Sequence, residues 1–423
     1  MKRYLKYKDS GVQWLGYIPE HWEVIPAFVV FKEQCFRNKN LVEKNLLSLS
    51  YGKIVRKDFG VNFGLLPESF ETYQIVIPGN IILRLTDLQN DKKSLRVGLV
   101  KEKGIITSAY LCLQPQNIFE KYVYTFLHNY DVLKVFYNMG SGVRQNMTFK
   151  DLKWLPILVP PLSEQKKIAC FLDSKLEEID KFISNKQRLI ELLKEQKTAI
   201  INRAVTKGLN PHAPMKPSGI EWLGDIPAHW EVKRNKYIFR EINERSETGQ
   251  ETYLAMSQRL GLVTRSQLGE QHLSTSENQI GYKLCQVNDL VLNKLKAYLG
   301  VFCKASIPGL VSPDYAVFRA ILNIEVDYFE YLFKTPDYIA EFNRFSTGIV
   351  IGFFRLYTPD FYNIYSLFPP FDEQNKIVQY IKNESFIVNQ AIATIEKEIE
   401  LIKEYRTTLI SEAVTGKIDV RET

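Results

Sequence analysis

Three patterns in this 423-residue chain could do chemistry. Asp151 followed by Glu164-Gln165-Lys166 imitates the acidic residue and E-x-K with which a metal-dependent nuclease gathers a cation beside a lysine. His21 in IPEHWEV and His229 in IPAHWEV are each candidates for a general base. Gly140-Ser141-Gly142 is a fragment of a glycine-rich phosphate cradle. Each has a plainer explanation. The E-x-K opens a helix, and its later counterpart is Glu373-Gln374-Asn375, where the lysine is lost, so helix capping is expected to account for both. No Ser or Cys lies near either histidine in sequence. A structural turn that packs Trp14, Trp22, Trp222 and Trp230 against the fold is expected instead. The G-S-G reads as a turn.

Other chemistry lacks its residues. There is no G-x-x-x-x-G-K-[ST], no G-x-G-x-x-G, and no N/D-P-P-Y/F tetrapeptide of the methyltransferase kind, since the two Pro-Pro pairs sit in VPPL and FPPF. The five cysteines (Cys35, Cys112, Cys170, Cys285, Cys303) form no C-x-x-C, and the five histidines do not cluster. Neither a zinc site nor a disulfide framework is expected.

The elements that carry these residues repeat. Lys8 to Val24 reads KDSGVQWLGYIPEHWEV and Lys216 to Val232 reads KPSGIEWLGDIPAHWEV, with 12 of 17 positions identical. The echo continues: GNIILRL with NDLVLNK, IITSAYLCL with LVSPDYAVF, and VPPLSEQ with FPPFDEQ. One unit of roughly 200 residues is duplicated in tandem, too long for a solenoid repeat, and implies two similar domains related by a pseudo-twofold. Each unit opens with β-branched and aromatic runs separated by Gly, Pro and Asn. Ile75–Pro78, Asn80–Leu85, Ile105–Leu113, Leu290–Leu292 and Tyr315–Phe318 are expected as strands, and Lys121–Tyr137 and Val326–Phe345 as helices. Each unit closes with a long helix. Pro160-Pro161 and Pro369-Pro370 set its start, with Ser163 and Asp372 expected as N-caps.

A heptad then runs unbroken through Leu172, Leu176, Ile179, Ile183, Lys186, Ile190, Leu193, Lys197, Ile200 and Ala204. In the second copy it runs through Ile381, Ser385, Val388, Ile392, Ile395, Ile399, Ile402, Arg406, Leu409 and Ala413. Each run covers about 50 Å of helix, and its cheapest partner is the other copy. The fold expected is α+β: two similar mixed α/β globular domains joined by two long helices in an antiparallel intramolecular coiled coil. The segments are 1–155 and 216–365 for the globules, and 156–215 and 366–423 for the helical spacers.

Composition permits this plan. Hydrophobic residues at 45% and charged residues at 24% are ordinary globular values. No apolar run is long enough to span a membrane, and no secretory leader opens the chain, so a cytoplasmic protein is expected. The net charge of +7 is concentrated at the front: residues 1–155 carry 22 basic and 14 acidic groups, against 16 and 17 in residues 216–365. The first globule has the charge of a polyanion binder and the second does not.

The W-L-G-x-I-P-x-H-W-E-V opening, the P-P-x-x-E-Q helix start and the duplication together resemble the specificity subunit of Type I restriction–modification enzymes. The likeness covers nearly the whole chain. It implies a non-catalytic subunit in which each globule is a target recognition domain reading one half of a split site on double-stranded DNA. The helices would act as spacer and dock two modification subunits, with restriction subunits joining that core. No cofactor is implied for this chain. S-adenosylmethionine, ATP and Mg would be used by the partner subunits. Loops bearing Arg, Lys, Asn and Gln suit base readout. The candidates are Lys53, Arg56, Lys57, Arg84, Arg144, Gln145 and Asn146 in the first globule. In the second they are Arg259, Arg265, Asn293, Lys294, Lys296 and Arg355. The competing readings are a coiled-coil adaptor that binds only protein, and an enzyme with unrecognised carboxylates.

Overall fold

A computed structural model describes residues 2–57, 69–88, 95–139, 146–257, 260–268, 279–350 and 353–422. The chain divides into two compact units. One comprises residues 1–186 with 396–423, and the other residues 187–395. Each boundary falls inside a long helix, Leu162–Lys207 or Phe371–Val414, so each unit holds the start of one helix and the end of the other.

The first unit is built on a four-stranded antiparallel sheet in the order Val97–Leu99, Ile81–Leu83, Leu111–Pro115, Phe31–Gln34. A smaller sheet of Gly104–Ile106, Gln74–Val76 and Phe36–Arg37 and a hairpin of Leu47–Ser50 with Lys53–Arg56 complete it. The second unit repeats the plan. Its sheet runs Phe302–Lys304, Leu290–Asn293, Tyr315–Ala320, Phe239–Ile242, and its hairpin pairs Leu254–Ser257 with Gly261–Thr264. The central strands Ile81–Leu83 and Leu290–Asn293 are buried throughout, which explains their unalternating apolar runs.

Some expected elements are cut. Ile105–Leu113 is two strands, because a turn with a Tyr110 N–H to Thr107 carbonyl bond separates them. Lys121–Tyr137 stops as an α-helix at Val132, where Lys134 takes a left-handed φ of 60°. Val326–Phe345 breaks into Val326–Phe333 and Pro336–Phe345. Pro336 disfavours helical backbone at Thr335 before it, and Thr335 turns its hydroxyl onto the Leu332 carbonyl at 2.8 Å. The long helices start one residue before the expected caps. The Pro161 and Pro370 carbonyls accept the first helical bonds, and Ser163 and Asp372 lie inside the first turn.

The heptad positions are the buried stripe. In both helices every one of the twenty is buried or half-buried. Within the first unit the Arg406 guanidinium bonds the Asp180 carboxylate at 2.5 Å and Lys186 pairs with Glu398 at 2.6 Å. Residue numbers therefore rise on one helix as they fall on the other, which is antiparallel pairing. In the second unit Lys197 donates to the Asn389 side-chain oxygen at 3.1 Å in the same sense. Lys186, Lys197 and Arg406, basic interruptions of the seam, all reach across it.

The repeated motifs explain each other in space. Glu23–Pro26, which continues the first H-W, pairs with Pro156–Val159, which leads into Pro-Pro; Glu231–Arg234 pairs with Tyr365–Phe368 in the same way. This brings H-W against E-Q. Glu164, 4% exposed, accepts from His21 Nε2 at 2.9 Å, Trp22 Nε1 at 3.2 Å and the Tyr4 hydroxyl. Gln165 takes the Phe119 N–H at 2.8 Å and donates to the Pro160 carbonyl at 2.8 Å. Gln374 does the same with the Glu325 N–H and the Pro369 carbonyl, both at 2.9 Å. Capping is thus not what these side chains do: Glu164 and Gln165 are buried cross-links. The turn reading of the histidines fits this place, although only Trp22 and Trp230 are fully buried, with Trp14 half-exposed against Tyr130 and Trp222 edge-on to Tyr338 at 4.8 Å.

The second copy is weaker. Glu373 is more exposed, accepts from His229 at 2.6 Å, and leaves the buried Trp230 Nε1 without a partner among the described residues. Glu164→Ala strands two buried donors, at about 1–3 kcal/mol each, whereas Glu373→Ala strands a half-exposed one and costs about 1 kcal/mol or less. Urea denaturation of the two variants should show the larger loss for Glu164→Ala; equal losses would contradict the assignment.

Candidate nucleic-acid interface

The candidate residues come from distant stretches of sequence, and the fold gathers part of them. In the first unit the chain leaves the central strand at Leu83 and runs through Arg84 to Asp87. There the Leu85 carbonyl accepts the Met147 N–H at 2.9 Å, and the Asn146 side-chain oxygen accepts the Asp87 N–H at 2.8 Å. Arg84 and exposed Asn146 are thereby stitched together. In the second unit the Lys294 carbonyl accepts the Leu356 N–H at 3.1 Å, which sets Asn293 and Lys294 beside Arg355. The two bonds are repeat-equivalent: one backbone device in each unit joins the end of the central strand to the segment before the last short helix.

What the device carries differs. Asn293, almost buried, caps the turn Lys294–Leu299 by accepting the Leu295 N–H at 3.2 Å. Lys294 is not a free cation: its ammonium lies 3.3 Å from Glu241, which also holds Lys283 at 3.1 Å. Burial pushes the Lys283 ammonium down, and Glu241 only partly offsets it. Burial also pushes the Glu241 carboxyl up, but the hydrogen bonds and lysine charges around it bring it below the usual carboxylate range. Lys296 is exposed. Arg355 lies 3.6 Å from Asp314 and above the Tyr357 ring, and its buried Nε meets no acceptor among the described residues. Phe354 is exposed and edge-on to Tyr298 at 6.2 Å. Cations and exposed rings are interleaved here, a surface that can contact phosphates and stack on bases.

The remaining candidates scatter. Lys53, Arg56 and Lys57 are exposed on or just after the first hairpin. The turn before Lys53 abuts Leu95 through Gly52, and Arg56 is committed to Glu102, its Nε donating at 2.8 Å. Arg265 opens a short helix, Arg265–Leu268, after the second hairpin. Arg144, Gln145 and Arg259 lie outside the described residues. Among the described residues no group of three His, Cys, Asp or Glu side chains could hold a metal, and no helix is long and apolar enough to cross a membrane.

Sequence reasoning missed Arg96. It is fully buried and bonds the loop carrying Arg84 from beneath. The one available signal was a cation set in an otherwise apolar strand run, Leu95 to Val100. It also missed the ring pair Tyr298–Phe354, which no local pattern announces.

Known proteins share this design. Residues 38–194 match the family model for the Type I restriction modification DNA specificity domain. The Type I restriction enzyme MjaVIII specificity subunit of Methanocaldococcus jannaschii is 24% identical over 367 residues, covering 82% of this chain and 81% of that protein. The Type I restriction enzyme EcoKI specificity subunit of Escherichia coli K12 is 20% identical, covering 95% and 90%. Two solved chains share the fold at 14% identity. One, from a type I R-M system solved for its complex assembly and conformational transition, gives a TM-score of 0.67 with 95% of this chain and 99% of that chain covered. The HsdS subunit of Thermoanaerobacter tengcongensis gives 0.57 with 95% and 98% covered. The chain is thus similar over most of its length to specificity subunits of Type I restriction enzymes, it carries a match to their DNA specificity domain in its first half, and it shares its fold with solved chains of such systems.

Proposed function

We propose that this chain recognises a bipartite, asymmetric DNA sequence on behalf of a Type I restriction–modification complex. Residues 1–155 and 216–365 are the two target recognition domains, each reading one half-site. Residues 156–215 and 366–423 are the helical spacers that set the gap and dock two modification subunits, which restriction subunits then join. S-adenosylmethionine, ATP and Mg belong to those partners, and the complex works in the cytoplasm. The reading rests on one observation above all: the same backbone device gathers candidate base-reading side chains in both units, yet the side chains differ. A shared scaffold with unlike contact residues is what reading two unlike half-sites requires. The near-neutral second globule implies that a docked partner supplies much of the phosphate binding there.

The contact set is Lys53, Lys57, Arg84, Asn146, Asn293, Lys296 and Arg355, with Arg144, Gln145, Arg259 and Arg265 proposed on sequence alone. Arg56 and Lys294 act through the ion pairs that hold them. The direct test is sequencing of methylated bases in a host that expresses this chain with its modification subunit. A motif of two half-sites around a fixed gap is expected; a contiguous motif or no methylation would overturn the reading.

Charge accounting separates the lysines. Lys296→Ala should weaken binding equally on all sequences and lower the slope of log affinity against log salt by about 1. Lys294→Ala should lower the slope by less, because Glu241, shared with Lys283, already offsets part of that charge. Salt titration of both variants on one duplex checks this.

The antiparallel seam governs how a spacer can be lengthened. Seven residues inserted at Glu195 and seven on the facing helix at Ala391 keep the heptad and add about 10 Å. The preferred gap should grow by about three base pairs, at 3.4 Å per step along each strand. The same insertion in one helix alone should disrupt the seam and abolish recognition. An unchanged gap in the double insertion would contradict the spacer role.

A further inference from the structure

Arg96 is an unusual residue to bury. A fully enclosed guanidinium carries five donors that must all be met, and its place is usually taken by an apolar residue. Here the repeat supplies the comparison: the corresponding position before the edge strand in the second unit is Val301, also buried. The cation is therefore not a requirement of the scaffold.

Its bonds show what it adds. Nη1 donates to the Arg84 carbonyl at 3.0 Å and the Thr86 carbonyl at 2.8 Å, and Nη2 to the Asp87 carbonyl at 3.2 Å. Three carbonyls of one four-residue loop are drawn onto one side chain. Nε donates to the Tyr137 hydroxyl at 3.1 Å, and the Arg96 backbone N–H donates to Asp131 at 2.5 Å. Both of those partners come from the segment after the sheet, so the fork is itself fixed. The loop it holds is strained, with Asp87 at a left-handed φ of 57°. A non-glycine residue in that region persists only where its surroundings over-determine it, and such strain gathers at functional sites. Asp87 is gripped from both sides: by Arg96 at its carbonyl and by Asn146 at its N–H.

We propose that Arg96 is a positioning residue for recognition of the first half-site, touching no DNA itself. It fixes the Arg84–Asp87 loop and, through Asp87, the rotamer of Asn146, so that two candidate base-reading side chains are presented in one geometry before DNA arrives. The inference rests on the proposed DNA reading, and it is specific to one half of the site, since the second unit lacks the cation.

The test uses the full chain with its modification subunit and a pool of randomised duplex DNA, with the bound fraction sequenced. The wild-type complex should enrich two half-sites. Arg96→Met, which keeps bulk and loses every donor, should lose base preference in the first half-site by about tenfold while the second half-site stays sharp. Arg96→Lys, which keeps the charge without the fork, should fall between. Hydrogen exchange of free protein is the second readout. The Asp87 amide should exchange about tenfold faster in Arg96→Lys, with Leu290–Asn293 unchanged. This readout stands even where Arg96→Met folds poorly. Equal blurring of both half-sites, or an unaltered Asp87 amide, would overturn the proposal. A wild-type complex that enriches no bipartite motif would instead refute the DNA reading beneath it.

Discussion

Two stripes of apolar side chains on helices of 46 and 44 residues cannot be left in water, and that constraint shapes the rest. A seam with residues such as Ile179, Ile190, Val388, Ile395 and Leu409 buried needs a second helix along its length. The antiparallel solution makes each compact unit a composite, with a globule from one repeat, the start of that repeat's helix and the end of the other's. Tyr122 donates to the Val414 carbonyl and Tyr328 to the Val205 carbonyl, so the foreign helix end is bonded into each core. Neither repeat carries a complete unit by itself.

The most repeated residues serve this joint. His-Trp and Glu-Gln meet because the strand after the one pairs with the strand before the other. Gly416 and Gly208, both at left-handed φ, end the two helices against Pro19 and Trp22 and against Trp230, where a side chain would collide or crowd. Identity between the copies therefore marks the framework. Difference gathers at the candidate interface, Arg84 against Asn293 and Asn146 against Arg355, and at the buried position next to it, Arg96 against Val301. One scaffold can in this way present unlike contacts without altering the joint that holds them.

Much of the plan was legible because it is written in periodicity. The duplication, the heptads, the Pro-Pro helix starts and the central apolar strands each obey a short-range rule. What was not legible depends on three dimensions. Glu164 has the position of a helix-dipole residue, and only the pairing of two distant strands makes it a buried acceptor. Lys294 has the chemistry of a phosphate contact, and only the fold brings it against Glu241, 53 residues away, which ties it down. The break at Thr335 could have been read from Pro336, since proline restricts the residue before it. Arg96 could not, because a lone cation in an apolar run does not say which carbonyls it will meet.

The pairing of the helices within one chain is the claim on which everything else rests, and zero-length crosslinking tests it most directly. Carbodiimide joins a lysine to a carboxylate already in contact, and Lys186 lies 2.6 Å from Glu398. Mass spectrometry of the monomeric, crosslinked chain should find an amide between those two residues. Its absence, or its presence only in covalent dimers, would contradict the intramolecular antiparallel seam.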